Sequence, residues 1–156
     1  MEITIVNIIQ AMLAPGIMIS ACGLLLLGMN NKWSLIVDRI RLLDDEKRRY
    51  LNASRKEKLN EDEEHRLKSI NMQLTKMSYR SKIVRNTVTA YSIAIALFIL
   101  SSLFIGLSYI VSTNFITAIA AGFFLAGMLS VMIGVLSAAK EVRKGYQVVQ
   151  IEIHEG

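Results

Sequence analysis

Few side chains in this sequence have the chemistry needed for catalysis or metal binding. The two histidines, His65 and His154, are far apart, and neither has a second ligand at the spacing that metal sites use. The single cysteine, Cys22, lies in a long apolar run, where a thiol stays protonated and unreactive. The chain also lacks a phosphate-binding loop and a nucleophile with a base nearby. We therefore expect no catalytic residue, no metal, no cofactor and no enzymatic activity.

The remaining chemistry belongs to polar side chains inside apolar segments. At 100° per residue, Asn7, Gln10 and Met18 share one face of a helix built from the first apolar run. If several copies surround an axis, this face would line a pore with two amide rings and an apolar constriction. Otherwise the amides would form hydrogen bonds between helices or lie among lipid headgroups. The sequence leaves both interpretations open.

The elements that must position these residues are defined by the distribution of charge. Although 20% of the 156 residues are charged, none is charged in residues 3–31 or in residues 86–139. A bilayer core about 30 Å thick needs roughly 20 apolar residues of helix, so the first run makes one span and the longer run makes two. This segregation excludes a soluble domain and a disordered chain. The predicted fold class is an all-α integral membrane protein with three transmembrane helices.

The polar turn at residues 112–114 separates the second span from the third. The predicted regions are transmembrane helix 1 in residues 1–31, a cytoplasmic helical hairpin in 32–85, transmembrane helices 2 and 3 in 86–139, and a cytoplasmic tail in 140–156. Residues 32–85 contain 15 Lys and Arg against 9 Asp and Glu, which places the hairpin and the C-terminus in the cytoplasm and the N-terminus outside. The acids of the hairpin dilute its positive field and argue against nucleic acid as a partner.

Apolar residues in the cytoplasmic region recur at steps of three and four, which predicts two helical arms with one seam each. Asn60 is a predicted N-cap, so the chain should reverse between residues 52 and 60. A long antiparallel hairpin of this kind would form a coiled-coil-like stalk. Its interrupted seam favours a homo-oligomer, and a cytoplasmic protein partner is an alternative. The seam positions of the first arm are Ile36, Ile40, Leu43, Lys47 and Tyr50, and those of the second are Leu67, Ile70, Leu74, Met77, Ser81 and Val84. Lys47 and Ser81 are the residues that interrupt the apolar seam.

Small residues predict where the membrane helices pack, because lipid competes with large apolar side chains for contact. The third span carries small residues at steps of four, and the first span has a small face and a proline expected to kink it. Aromatic residues near the ends of spans one and two, Trp33 and Tyr91, suit the membrane interface. The predicted packing residues are Gly16, Ser20 and Gly23, then Ala118, Gly122, Ala126, Ser130, Gly134 and Ala138, and the kink is at Pro15.

The first 41 residues resemble an uncharacterised bacterial domain-of-unknown-function family of small three-span inner-membrane proteins. The resemblance lies in the runs of residues 10–15, 18–26, 30–31 and 37–41, which read QAMLAP, MISACGLLL, NN and VDRIR. It implies a protein of the bacterial inner membrane and supplies no catalytic residue. It also directs attention to a cytoplasmic interface at the end of the first span, which would contact lipid headgroups and the basic end of the second span. The residues of this interface are Asn30, Asn31, Asp38, Arg39 and Arg41.

These observations lead to one expected function and one alternative. We expect a homo-oligomeric inner-membrane protein of unassigned activity, which assembles through small-residue packing and through its cytoplasmic stalk. The alternative is an oligomeric channel for ions or small solutes with transmembrane helix 1 around the pore. In both, the lipid bilayer is a partner.

Overall fold

The computed structural model describes residues 5–54, 60–111 and 114–154, and within these ranges it contains three α-helices and no strand. α1 spans Ile5–Ser54, α2 spans Glu61–Val111 and α3 spans Asn114–His154. The all-α prediction with three helices is confirmed, and each helix is long and apolar enough to cross a membrane. Residues 55–59 and 112–113, where the predicted reversals fall, lie outside the described residues.

Each helix continues without interruption through a predicted boundary. α1 holds both the first predicted span and the first arm, and α2 holds the second arm and the second span. α3 runs past residue 139 to His154, so the region predicted as a tail continues the helix. Pro15 lies inside α1, which remains helical on both sides of it. With no other proline in the chain, nothing in the backbone forces a break where apolar sequence gives way to charged sequence.

α2 begins directly after Asn60, the residue predicted as its N-cap, and the hydrogen bonds described there are made by the Asn60 backbone. The backbone N–H of Asn60 donates to the Glu63 carboxylate at 3.0 Å, and the Glu64 N–H donates to the Asn60 carbonyl at 3.0 Å. Glu63 is therefore the acidic member of a capping box, three residues after the N-cap. Acidic residues fill the whole first turn, where negative charge is favourable at a helix N-terminus.

α2 is the central helix, because it packs along both α1 and α3, whereas α1 and α3 approach each other much less closely. Buried positions recur every seven residues in each helix. This spacing keeps one line of side chains facing a neighbour along a long helix. The buried lines are Pro15, Cys22, Met29, Ile36 and Leu43 in α1 and Ala120, Gly127, Gly134 and Glu141 in α3. α2 has two such lines, which are Ile70, the half-buried Met77, Val84, Tyr91 and Phe98, and then Thr87, Ala94 and Ser101.

Two buried clusters follow these lines. One contains Cys22, Ala94 and Phe98, with Phe124 of α3 packed against it. The other is formed by Met29, Ile36, Val84 and Tyr91. The second cluster joins residues of the predicted spans to residues of the predicted arms. The core therefore passes through the predicted boundary between them.

The predicted seams of the two arms match the observed burial. Ile36 and Leu43 of α1 are buried, as are Ile70 and Val84 of α2, and the remaining predicted seam positions are half-buried. Near the far end of the arms, Arg66 donates to Glu46 of α1 at 2.9 Å. This hydrogen bond raises the pKa of the Arg66 guanidinium. The contacts of α1 with α2 thus extend over most of the arm length.

Candidate functional site

The most unusual side chain in the structure is a fully buried carboxylate where the three helices meet. Glu141 of α3 is 0% exposed. Its Oε2 accepts a hydrogen bond from Lys32 Nζ of α1 at 2.5 Å, and its Oε1 accepts one from Arg80 Nη2 of α2 at 2.7 Å. Arg80 Nε also donates to Oε1, at 3.3 Å. One carboxylate therefore connects all three helices, and we call Lys32, Arg80 and Glu141 the junction cluster.

The electrostatics of this cluster explain why a buried carboxylate is tolerated. Burial alone raises the pKa of a carboxyl group, but the hydrogen bonds and charges of Lys32 and Arg80 outweigh burial and hold the pKa of Glu141 below its ordinary value. Glu141 is therefore ionised at neutral pH, and both of its oxygens have donors. The cluster as a whole carries one excess positive charge, because two cations share one anion.

A second polar contact lies beside the junction cluster. Trp33, the residue after Lys32, donates its indole N–H to the hydroxyl of Ser81, the residue after Arg80, at 3.3 Å. The Trp33 side chain is 37% exposed. At this level of the bundle, Trp33 of α1 thus contacts Ser81 of α2 directly, and Lys32 is linked to Arg80 through Glu141 of α3.

The three residues of the predicted pore face do not share one environment. Asn7 and Gln10 are exposed near the start of α1. Met18 is half-buried and packs against the cluster of Cys22, Ala94 and Phe98. Met18 therefore contacts the core of its own chain, whereas the amide side chains of Asn7 and Gln10 are exposed and can contact another copy.

The predicted packing face of the first span is exposed within the chain. Gly16, Ser20 and Gly23 all face outward, and a Cβ atom at either glycine would meet nothing within 4 Å. The Ser20 hydroxyl donates to the Gly16 carbonyl at 3.2 Å, within its own helix. α1 contacts its neighbours through the line of Cys22 and Met29 instead. The small face of α1 does not receive α3.

The small residues of the third span divide between two surroundings. In the C-terminal half of the predicted third span, Ser130 is half-buried and its hydroxyl donates to the Ala90 carbonyl of α2 at 2.7 Å, and Gly134 is buried. In its N-terminal half, Gly122 and Ala126 are exposed. The contact with α2 near the start of α3 uses neighbouring positions, since the Ser101 hydroxyl donates to the Ala120 carbonyl at 2.9 Å. The residues of α3 that face α2 recur every seven positions. Small residues placed every four positions therefore turn progressively away from α2.

Pro15 is fully buried and lines a cavity of about 410 Å³. The cavity lies between the N-terminal parts of α1 and α3 and the C-terminal part of α2. Ala11 and Ala14 line the same cavity from α1, and Ala120 and Ala121 line it from α3. Proline has no N–H, so the Ala11 carbonyl lacks its usual helical donor. The cavity exists because small residues face one another from the two helices.

The residues predicted to form the cytoplasmic interface lie on the outer surface of α1. Asp38 and Arg41 pair with each other at 3.9 Å and are both well exposed. The polar links described between α1 and the basic end of α2 involve Trp33 and, through Glu141 of α3, Lys32. Lys32 reaches Arg80 through Glu141, and Trp33 reaches Ser81 directly. The other three predicted residues, Asn30, Asn31 and Arg39, are exposed as well.

The junction cluster differs from the sequence prediction, which assigns residues 140–156, and so Glu141, to a cytoplasmic tail. Two signals in the sequence point to it. Glu141 is the one acidic residue in the basic stretch of residues 140–144. It also follows Ala120, Gly127 and Gly134 at steps of seven, which places it on the buried line of α3. An acid that continues a buried line next to bases predicts an internal ion pair.

Comparison with known proteins assigns the chain to a family. The family described as "Protein of unknown function (DUF2721)" matches residues 12–151, which is most of the chain. The chain belongs to this family, as the resemblance of its first 41 residues implied. No curated protein and no solved structure matches it.

Proposed function

We propose that this protein is a homo-oligomeric component of the bacterial inner membrane, in which copies associate through small-residue faces of their membrane helices. The observation that carries the proposal is the exposure of these faces in the single chain. Gly16, Gly23 and Gly122 have nothing within 4 Å of an added Cβ atom. The glycines that pack inside the chain, Gly127 and Gly134, instead receive the aromatic rings of Phe98 and Tyr91.

Within lipid, small residues favour association because they let helix backbones approach closely. Asn7 and Gln10 support the same conclusion, since an exposed amide in a membrane helix is favourable when it meets another polar group. We place the N-terminus outside and both the helical hairpin and the C-terminus in the cytoplasm, on the strength of the basic residues in 32–85. In this orientation Asn7, Gln10 and Gly122 lie towards the outer side of the bilayer, and the face of Gly16 and Gly23 runs from its middle towards the cytoplasmic side.

The proposed cytoplasmic arms also carry surface that favours a partner. Leu35 is 70% exposed and Leu42 is 65% exposed, seven residues apart on α1. Both would lie in water in the proposed orientation, where a repeated apolar position costs free energy unless it is covered. We propose that other copies of the hairpin cover it in a coiled-coil-like stalk. A cytoplasmic protein is the competing partner, and it would co-purify with the full chain.

The experiment measures particle mass. In the variant Gly122→Leu/Ala126→Leu, large side chains replace an exposed small face without touching the core of the chain. We expect the mass of the detergent-solubilised particle, measured by light scattering, to fall from that of an oligomer towards that of one chain. Ala96→Leu is the matched control, because Ala96 is exposed on α2 outside both small faces. A wild-type particle with the mass of one chain would refute the proposal.

The channel alternative is narrowed by the position of Met18. Because Met18 is half-buried against the core of its own chain, Asn7 and Gln10 are the predicted pore residues that are exposed. Ion flux from liposomes that changes in Gln10→Leu and not in Ala96→Leu would favour a channel. An absence of flux for common ions would leave assembly as the function to pursue.

A further inference from the structure

The junction cluster lies where charge-free sequence meets charged sequence on all three helices. Lys32 directly follows the charge-free residues 3–31, and Arg80 and Glu141 lie on either side of the charge-free residues 86–139. If the three helices cross a bilayer, this level is the headgroup region on the cytoplasmic side. The cluster therefore lies where lipid phosphates are concentrated.

The carboxylate of this cluster is buried, whereas the two cationic side chains are partly exposed. The side chain of Glu141 is 1% exposed, but those of Lys32 and Arg80 are 42% and 25% exposed. Lysine has three N–H donors and arginine has five. Glu141 receives one hydrogen bond from Lys32 and two from Arg80. Each cation therefore keeps donors for a second anion.

The geometry of the two cations suits a phosphate group. Both donate to one carboxylate, with donor–acceptor distances of 2.5 and 2.7 Å for the closest atoms, so they are near enough to donate to one phosphate as well. Arg80 uses Nε and Nη2 on Glu141, so its remaining guanidinium N–H groups are the ones that can bind phosphate oxygens. Trp33 is positioned at this level by Ser81, and an indole ring there can pack along lipid while its N–H stays hydrogen-bonded.

We propose that Lys32 and Arg80 bind the phosphate of an anionic membrane phospholipid through the N–H donors that Glu141 leaves free. The excess positive charge of the cluster favours an anionic headgroup over a zwitterionic one. Lys140 and Arg143, which are exposed beside Glu141 in sequence, add to the local positive potential. The proposal requires the three helices to cross a bilayer but does not require homo-oligomerisation.

The test is lipid titration of the purified full chain in detergent, read by native mass spectrometry. The probes are phosphatidylglycerol and phosphatidylcholine with the same acyl chains. We expect the wild type to bind phosphatidylglycerol at least about fivefold more tightly than phosphatidylcholine. Lys32→Gln and Arg80→Gln should each weaken phosphatidylglycerol binding about fivefold, since a cation near a lipid surface contributes about 1 kcal/mol. Glu141→Gln should bind phosphatidylglycerol as tightly as the wild type or more tightly, because both cations remain.

This pattern separates a lipid site from a purely structural cluster, in which all three substitutions would reduce binding alike through a shared loss of structure. Lys82→Gln is the matched control for diffuse charge, because Lys82 is an exposed cation two residues from Arg80. If Arg80→Gln does not fold, Arg80→Gln/Glu141→Gln replaces it, since the double variant leaves no unpaired carboxylate. Circular dichroism and the elution volume show whether each variant is folded.

Three results would overturn the proposal. One is equal binding of the two lipids, and another is an equal loss of binding in Lys82→Gln and Lys32→Gln. The third is displacement of phosphatidylglycerol by millimolar inorganic phosphate, which would identify a soluble phosphate as the ligand. Particle mass is measured in the same spectra. A single chain that retains phosphatidylglycerol would refute the proposed oligomer and leave the lipid site standing.

Discussion

At the scale of single residues, Glu141 is the buried side chain that links all three helices. A carboxylate that is 0% exposed is stable only with strong partners, and here each oxygen has a cationic donor from a different helix. Lys32 and Arg80 remain partly open, so water can solvate them when the pair is broken. The cost of losing Glu141 is therefore that of losing charged hydrogen bonds, and not that of burying two free cations.

We predict that Glu141→Gln lowers the free energy of unfolding by about 2 kcal/mol at neutral pH, which is typical of lost hydrogen bonds to charged groups. Because the fold lowers the pKa of Glu141, its contribution is fully present above the ordinary glutamate pKa of about 4.3 and is lost as pH falls through the lower pKa of the folded protein. Unfolding in detergent, followed by circular dichroism from pH 7 to pH 3, checks both effects.

The matched comparison is Glu46→Gln, which removes the ion pair with Arg66. Those side chains are 33% and 47% exposed, so we expect a loss below about 1 kcal/mol. The pH-dependent loss of stability expected below the ordinary glutamate pKa in the wild type should be smaller in Glu141→Gln. Equal losses in the two variants at pH 7 would show that the junction cluster is no stronger than a surface pair.

At the scale of the helices, α2 and α3 pack through alternating large and small residues. The ring of Phe98 fills the space beside Gly127, and the ring of Tyr91 fills the space beside Gly134. Ser130 adds a hydroxyl donor to the Ala90 carbonyl between these two levels. Close backbone approach and hydroxyl-to-carbonyl bonds are the two means by which helices associate in lipid.

We predict that Gly134→Ala destabilises the chain by about 1–3 kcal/mol, the usual cost of overpacking a core. An added Cβ would lie 2.5 Å from Cε1 of Tyr91, so the ring or the helix must move. Gly122→Ala is the control, since nothing lies within 4 Å of its Cβ and alanine is the better helix former. Thermal unfolding in one detergent compares the two, and equal midpoints would contradict the packing described.

The helices and arm seams were predictable because they depend on local patterns, such as the apolar steps that include Ile36 and Ile70. The environment of Tyr91 was not predictable in this way. Its position near the start of the second span suits the membrane interface, but Gly134, 43 residues later, provides the space that buries its ring. The pairing of Glu141 with Lys32 likewise joins residues 109 apart. Such contacts depend on how helices align, which local periodicity does not determine.

At the scale of the whole molecule, the helices are much longer than a bilayer is thick. α1 has 50 residues and α2 has 51, so each extends about 75 Å at 1.5 Å per residue, against about 30 Å for a bilayer core. The cluster of Met29, Ile36, Val84 and Tyr91 crosses the level at which the predicted spans end. In the proposed orientation, the membrane and cytoplasmic parts are therefore one continuous packed unit, and a force on the arms would reach the spans through this core.

The orientation of this unit makes a prediction that single cysteines can test. Asn52→Cys places an exposed thiol at the arm end, and Asn114→Cys places one at the start of α3. We expect a membrane-impermeant maleimide added to intact spheroplasts to label Asn114→Cys directly, but to label Asn52→Cys only after permeabilisation. The unmodified chain is the control, because its one cysteine, Cys22, is 1% exposed and should remain unlabelled. Labelling in the reverse order would invert the topology and place the junction cluster at the outer headgroups.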